Sequence, residues 1–330
     1  MNAGLIAKKV TMSSMKKTAC MLLMVACVPV CVSAQQHADE SARAEMYSAD
    51  GRIPVKKFYE ALNNLADKGL WDIETVYVDK TLPIYVLHTK QKSPAIWLLA
   101  GIHGEEPAPP NAVYKNIGKF NALAAKKIPV VLFPLCNPAG YSRNWRYPDA
   151  EKYSEQNPGY SVGDSDHLLP DKDGKPRIPK ASSAQADALT RKVLALAKDY
   201  PPALSIDLHE DNLLEKGYIY SQGPGGREDK AAKNIIKRMT GLNYPIMLSG
   251  KTRFNEPIIN GIVSDVKDGS IDELIASERI IVNGTLQAGP SGKSVIVVET
   301  SAAKMPLKER VRVHSSIIGM LEDLYKSARK

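Results

Sequence analysis

Six nearly unbroken apolar runs, at 83–88, 95–101, 129–134, 203–208, 218–221 and 294–299, constrain this chain more than any other feature. A strand with one wet face alternates apolar and polar residues, whereas a strand covered on both faces does not. These runs lack strict alternation, so most of them belong to strands sandwiched between helices. Helical patterns fill the gaps at 109–125, 183–199, 227–240, 270–277 and 307–326. The βαβαβα order predicts an α/β domain with a central mixed, largely parallel sheet flanked by helices. One segment, 137–181, breaks the rhythm: it is rich in Pro, Gly, Asp, Tyr and Lys and has no sustained period. A stretch of that length inside a compact domain is usually functional or disordered. It follows the strand ending at Pro134, on the edge where open α/β sheets bind ligands.

The chain opens on a segment that is not fold. Lys16 and Lys17 precede an apolar run from Thr18 to Val32, which closes on Val32-Ser33-Ala34. That is the pattern of a signal peptide over 1–34, and the run is short for a membrane span. Met24-Val25-Ala26-Cys27 keeps a lipid anchor on Cys27 open as a weaker reading. The expected location is therefore exported, periplasmic or secreted, with no transmembrane segment in the mature chain. A polar leader, 35–51, would precede a single catalytic-sized domain over 52–330, since the remaining 296 residues or so suffice for one large core. Cys20, Cys27 and Cys31 fall in the signal, leaving Cys136 unable to pair internally. The signal also carries four lysines and no acid, so the +8 of the whole chain falls to +4. No basic stripe with interleaved aromatics accompanies that mild charge, which argues against nucleic acid as a partner.

Three strand ends carry the chemistry. Gly101-Ile102-His103-Gly104-Glu105-Glu106 follows a buried run. A His and a Glu three apart on a turn can face one ion, and a catalytic zinc takes three protein ligands and leaves a position for water. Alone the spacing is weak and also fits a solvated turn. Asp207-Leu208-His209-Glu210-Asp211 ends a second run, and its histidine can supply the third ligand, with Asp207 either orienting the ring or sitting as a satisfied core carboxylate. Val298-Glu299-Thr300 ends a third. Glutamate is seldom buried unless paired or used, and one facing a metal site can act as general base and then general acid.

These stretches stand in order with Asn137-Pro138-Ala139-Gly140-Tyr141, Trp145-Arg146 and Gly269-Ser270-Ile271-Asp272. Over about 95–301 the chain thereby resembles the zinc carboxypeptidase superfamily, which contains carboxypeptidase A and, more distantly, the succinylglutamate desuccinylase and aspartoacylase group. The resemblance implies a zinc carboxypeptidase-like fold and one zinc per chain held by His103, Glu106 and His209. It makes Glu299 the general base that activates water, and Arg146 the donor to the oxyanion, with Arg143 as competitor. Ile271 would line the specificity pocket.

Two departures concern substrate. Where relatives keep Asp-x-Asn-Arg, this chain has Asp164-Ser165-Asp166-His167, and Ser264 stands near the position of the mobile tyrosine of carboxypeptidase A. Asp166 and His167 would grip a terminal carboxylate poorly, which favours a neutral or cationic distal group unless Arg253 fills the place of the missing arginine. The expected activity is hydrolysis of a peptide amide bond, with a cell-wall peptide as a substrate suited to the location. The alternatives are an N-acyl amino acid deacylase and a catalytically idle binding protein on the same fold. Oligomeric state is not legible.

Overall fold

The computed structural model describes residues 50–79, 82–148 and 159–329. The signal segment with Cys27, and all but the last two residues of the polar leader, lie outside the described residues. Each apolar run forms a strand: β2 (Leu82–Thr89), β3 (Ala95–Ala100), β4 (Val130–Phe133), β5 (Pro202–Asp211), β6 (Tyr218–Ser221) and β12 (Ser294–Ser301). They join β1 (Trp71–Asp79) and the short β7 (Ser249–Lys251), β8 (Pro257–Ile259) and β9 (Ile262–Ser264) in one ten-stranded sheet. Its order is β1-β2-β4-β3-β5-β12-β6-β9-β8-β7. The centre, β4-β3-β5-β12, is parallel throughout, and β6 pairs with β9 in the same sense. The flanks are antiparallel, so the sheet is mixed with a parallel heart. A separate hairpin, β10 (Arg279–Val282) with β11 (Thr285–Ala288), lies outside the sheet.

The helices are α1 (Val55–Ala66), α2 (Ala108–Lys115), α3 (Ile117–Ala125), α4 (Pro138–Arg143), α5 (Ala184–Asp199), α6 (Lys230–Gly241), α7 (Ile271–Ala276), α8 (Leu307–Ile318) and α9 (Leu321–Ala328). Two patterns read as single helices are pairs. Asn116 leaves the helical region at φ −113° and turns its Nδ2 back onto Ala112 O, separating α2 from α3, and Gly319 with Met320 separates α8 from α9. The α1 helix is absent from the sequence reading, yet its buried residues Val55, Phe58, Leu62 and Leu65 have helical spacing.

Alternate residues of the central strands divide between two cores. Ile96, Leu98, Leu204, Ile206, Leu208, Ile296 and Val298 pack with α1, α2, α3, α6, α8 and α9. Trp97, Leu99 and Val295 pack with Leu189, Val193 and Leu196 of α5 and Ile271, Leu274 and Ile275 of α7. By the same alternation Ser205, Asp207, His209, Val297 and Glu299 point to the α5–α7 side, whereas Glu210 and Thr300 point to the α2–α8 side.

The long irregular segment contains α4 and little other regular structure among its described residues. Asn137 caps α4 by accepting from Gly140 N at 2.8 Å, and its Nδ2 donates to Arg146 O at 2.9 Å. Asn144 ends the helix in the left-handed region and reverses the chain, bringing Trp145-Arg146 back over Gly104. At Gly104 a β-carbon would sit 2.1 Å from Gly140 C and 2.3 Å from Trp145 O. Arg52, 4% exposed, locks the same junction by donating to Gly104 O at 3.1 Å, to Tyr141 O and to Asn144 Oδ1. Because those contacts are backbone, Gly104→Ala is expected to cost at least about 2 kcal/mol in urea unfolding. Wild-type stability in that variant would mean that the two turns part without penalty.

Candidate metal centre

The turn after β3 and the end of β5 bring three side chains to one point. His103 Nδ1 lies 2.8 Å from Glu106 Oε1, His209 Nδ1 lies 3.1 Å from Glu106 Oε2, and the two Nδ1 atoms are 3.2 Å apart. Two nitrogens that each need a proton or an electrophile cannot face each other at that distance without something to share. Two imidazoles and a carboxylate, all within 4.8 Å of one another, are a donor set that suits zinc. On the far side of the ring, Asp207 Oδ2 lies 3.1 Å from His209 Nε2 as a close charge contact outside hydrogen-bond geometry. Asp272, the second residue of α7, closes a deeper group with Asp207 and His209. Burial, then Asp207, push the Asp272 carboxyl well up.

Charge is arranged to match. Burial and Arg146 hold His103 down at about 3, leaving it neutral. Against the opposing pull of burial, Asp207 and Glu106 hold His209 well above its usual range. Burial likewise opposes ionisation of Glu106, but His103 and His209 overcome it and hold that carboxyl well below its usual range.

Glu299 stands directly beside His209 in the parallel register of β12 and β5. Its Oε2 is buried and has no hydrogen-bond partner. Burial, reinforced by Glu106 and Asp211 and opposed by His209 and Arg146, pushes it up to about 8. Arg146 donates through NH1 to Glu105 Oε1 at 2.8 Å and reaches Glu106 Oε1 at 3.3 Å. Arg143 instead gives NH2 to Pro148 O within its own loop, away from the ligand carboxyl.

The expected substrate residues scatter. Ile271 is buried in the core shared with Ile102. Asp166 meets Arg177 NH1 at 3.2 Å, and Arg177 is also tied to both oxygens of Glu273. The carboxyl rests on Gly269, which is at φ +73° and where a β-carbon would be 2.5 Å from Asp166 Cγ. The guanidinium beside Asp166 is thus Arg177 and not Arg253, which is exposed on the β7–β8 turn and lies over the ring of Phe254. His167 has Asp187 of α5 as its acidic neighbour, at 3.7 Å, so its surroundings belong to α5 and not to the metal cluster.

Glu210 could have competed with Glu299 as a base, but it faces the other side of the sheet. It is fully buried as a side chain, accepts from Ala108 N at 2.8 Å and pairs with Arg310 of α8. Its backbone N donates to Glu106 Oε2 at 3.1 Å. Sequence reasoning missed Arg52, Arg177 and Arg310, because each bridges segments far apart in the chain and none has a local pattern.

The structure resembles a candidate metallopeptidase from Shewanella baltica OS155, at TM-score 0.64 and 20% identity, covering 81% of this chain and 91% of that one. Bovine thrombin-activatable fibrinolysis inhibitor, solved with a tick carboxypeptidase inhibitor, aligns at TM-score 0.57 and 13% identity over 84% of this chain and 98% of that one. Carboxypeptidase A from Helicoverpa armigera aligns at TM-score 0.54 and 12% identity over 90% of this chain and 80% of that one. At these identities the likeness shows the fold, a carboxypeptidase-type α/β sheet flanked by helices. No protein-family model matches the sequence, and no curated protein matches it.

Two outcomes follow from the geometry. A metal ligand must shed any proton on its bonding atom, and Asp207 and Glu106, against the pull of burial, favour the protonated form of His209. Zinc added to metal-free protein at pH 7 should therefore release about one proton or more, read by calorimetry in buffers of different ionisation enthalpy. Affinity should climb with pH until His209 has titrated; binding without proton release would place that histidine neutral. Separately, Arg310→Met strands a buried carboxyl and should cost about 3 kcal/mol in urea unfolding, most of it recovered when Glu210→Met is added. An equally unstable double variant would show that the pair matters for packing alone.

Proposed function

We propose that this chain is an exported zinc-dependent metallopeptidase of the carboxypeptidase type, hydrolysing a peptide amide bond, with cell-wall peptides as the substrate pool its expected location offers. The observation that carries the reading is the unpartnered buried oxygen of Glu299, on the residue beside His209, whose Nδ1 converges with that of His103 on the Glu106 carboxylate.

His103, Glu106 and His209 would hold the zinc, which when bound supplies a Lewis acid for the carbonyl and acidifies water. Glu299 Oε2 takes a proton from the attacking water as its oxygen bonds to the carbonyl carbon, and returns it to the leaving nitrogen as the C–N bond breaks. Burial alone keeps a proton on this carboxyl, and the positive charge of a zinc held alongside would favour the carboxylate that accepts one. Arg146, fixed through NH1 on Glu105, presents the rest of its guanidinium as donor to the developing oxyanion. Asp207 keeps the His209 ring from rotating, so the lone pair of Nδ1 stays aimed at the ligand point.

Purified protein should hold about one zinc per chain, and His209→Ala should lose most of it. Glu299→Gln keeps volume and should keep zinc, with turnover of muropeptides or N-blocked peptides, read by product mass, down at least roughly a hundredfold. Activity within a few-fold of wild type would remove Glu299 from the chemistry. Zinc-loaded wild type that cleaves neither peptides nor N-acyl amino acids would leave the binding-protein reading.

A further inference from the structure

Behind the ring of His209 lies a second convergence of donors, deeper in the sheet than the first. Asp207 Oδ2 stands 3.1 Å from His209 Nε2. Asp272 closes the group, with one ligand atom from each of the three residues within 4.8 Å of the others. All three are enclosed, Asp207 at 0%, Asp272 at 3% and His209 at 6% exposure. The group is assembled from two elements, since Asp207 and His209 belong to β5 and Asp272 is the second residue of α7.

These acids have nothing to hold. Both oxygens of Asp207 and Oδ1 of Asp272 are buried without a hydrogen-bond partner. Beside Asp207 in the sheet stand Leu99 of β3 and Val297 of β12, whose side chains offer no donor. Ser205, two residues back on the same face, also has a buried Oγ without a partner. Neither acid pairs with a lysine or an arginine among the described residues. Glu210 shows what the fold does elsewhere with a carboxyl as deep: it meets Arg310 and the Ala108 amide. Buried carboxyls are otherwise paired or hydrogen-bonded, so a knot of unsatisfied oxygens calls for an ion, a proton or a water. The spacing favours an ion. Two donors that share a metal at bonds of about 2.0–2.2 Å stand about 3 Å apart. The contact from Asp207 Oδ2 to His209 Nε2 has that length without hydrogen-bond geometry, and it repeats the 3.1 Å from His209 Nδ1 to Glu106 Oε2 in the outer set.

We propose that Asp207, Asp272 and Nε2 of His209 hold a second divalent cation of the zinc class, so that one imidazole joins two ions, one on each nitrogen. Two carboxylates with one imidazole suit zinc better than calcium or magnesium, which ask for more oxygens or for retained water. Charge agrees: with both ring protons displaced, Glu106, Asp207, Asp272 and the His209 ring carry one negative charge each, which balances two divalent ions. The inner ion ties α7, and with it Ile271, to the strand that carries His209. It is the weaker of the two, because the shared ring must lose its last proton to receive it, so it fills at zinc excess and not on purification.

The test is a count of ions. Purified protein stripped with chelator and titrated with zinc chloride should bind two per chain in calorimetry, the second at least roughly tenfold more weakly than the first. Asp272→Asn should bind one. Glu299→Gln should still bind two, which separates the inner site from any ion resting on the proposed general base. Wild-type protein saturated with cadmium-113 should give two resonances of equal weight, a readout that needs no variant to fold. Saturation at one zinc with a single resonance, or a second zinc that Asp272→Asn retains, overturns the site. The inner and outer centres fail separately, and neither count depends on peptide hydrolysis. One zinc that survives His103→Ala and is lost in Asp272→Asn would leave the inner site alone, whereas one that is indifferent to Asp272→Asn would leave the outer.

Discussion

The carboxylate of Glu106 is the point on which the rest of the centre closes. Its Oε1 meets His103 and Arg146, and its Oε2 meets His209 and the backbone N of Glu210. One buried anion thus joins the turn after β3, the returning loop after α4 and the end of β5. An anion there is tolerable only because positive or donor groups surround it, and each of those groups is held by something behind it. Arg146 has Glu105, His209 has Asp207, and Glu210 has Ala108 and Arg310. The fold can be understood as the set of supports that keeps these partners from relaxing away.

The pleat of the sheet sorts those supports from the chemistry. On β5 the residues 205, 207 and 209 face α5 and α7, and 210 faces α2 and α8; on β12, Glu299 and Thr300 part in the same way. Two glutamates on adjacent strands therefore have opposite jobs. Glu299 is left with a free oxygen on the site face, whereas Glu210 is consumed by an arginine and an amide on the other. Thr300 behaves like Glu210, bonding His314 of α8 at 2.9 Å beneath the metal strand.

Strand ends were readable in the sequence because apolar runs give out where a polar residue must leave the core, and His209 and Glu299 mark those points. His103 and Glu106 were readable from a turn motif, and Arg146 only through its order after Asn137-Pro138. The parallel centre of the sheet was equally plain, while β7, β8 and β9, three residues each, are too short to leave a periodic trace. The direction of side chains in the long loop was not legible. A segment without a period gives no face, so Asp166 and His167 could be aligned by position but not aimed, and the arginine that meets Asp166 lies eleven residues later. Arg52 was invisible for a related reason, since its role depends on which distant turn it touches.

The strand that carries Glu299 is the last in sequence, yet it lies between β5 and β6 in the middle of the sheet. Until residues 294–301 have been synthesised, β5 and β6 each present a row of unpaired amides and carbonyls where β12 will insert, and such open edges invite association with other chains. A chain leaving the ribosome can form α1–α7 and the β1–β4 half early, but the two halves of the sheet are joined only by a segment that arrives some eighty residues after β5. Insertion of that segment is then both the step that joins the halves of the sheet and the step that delivers Glu299, with α8 and α9 still to pack. If Glu299 is the base proposed above, a nascent or truncated chain lacks that group until β12 has joined the two halves of the sheet.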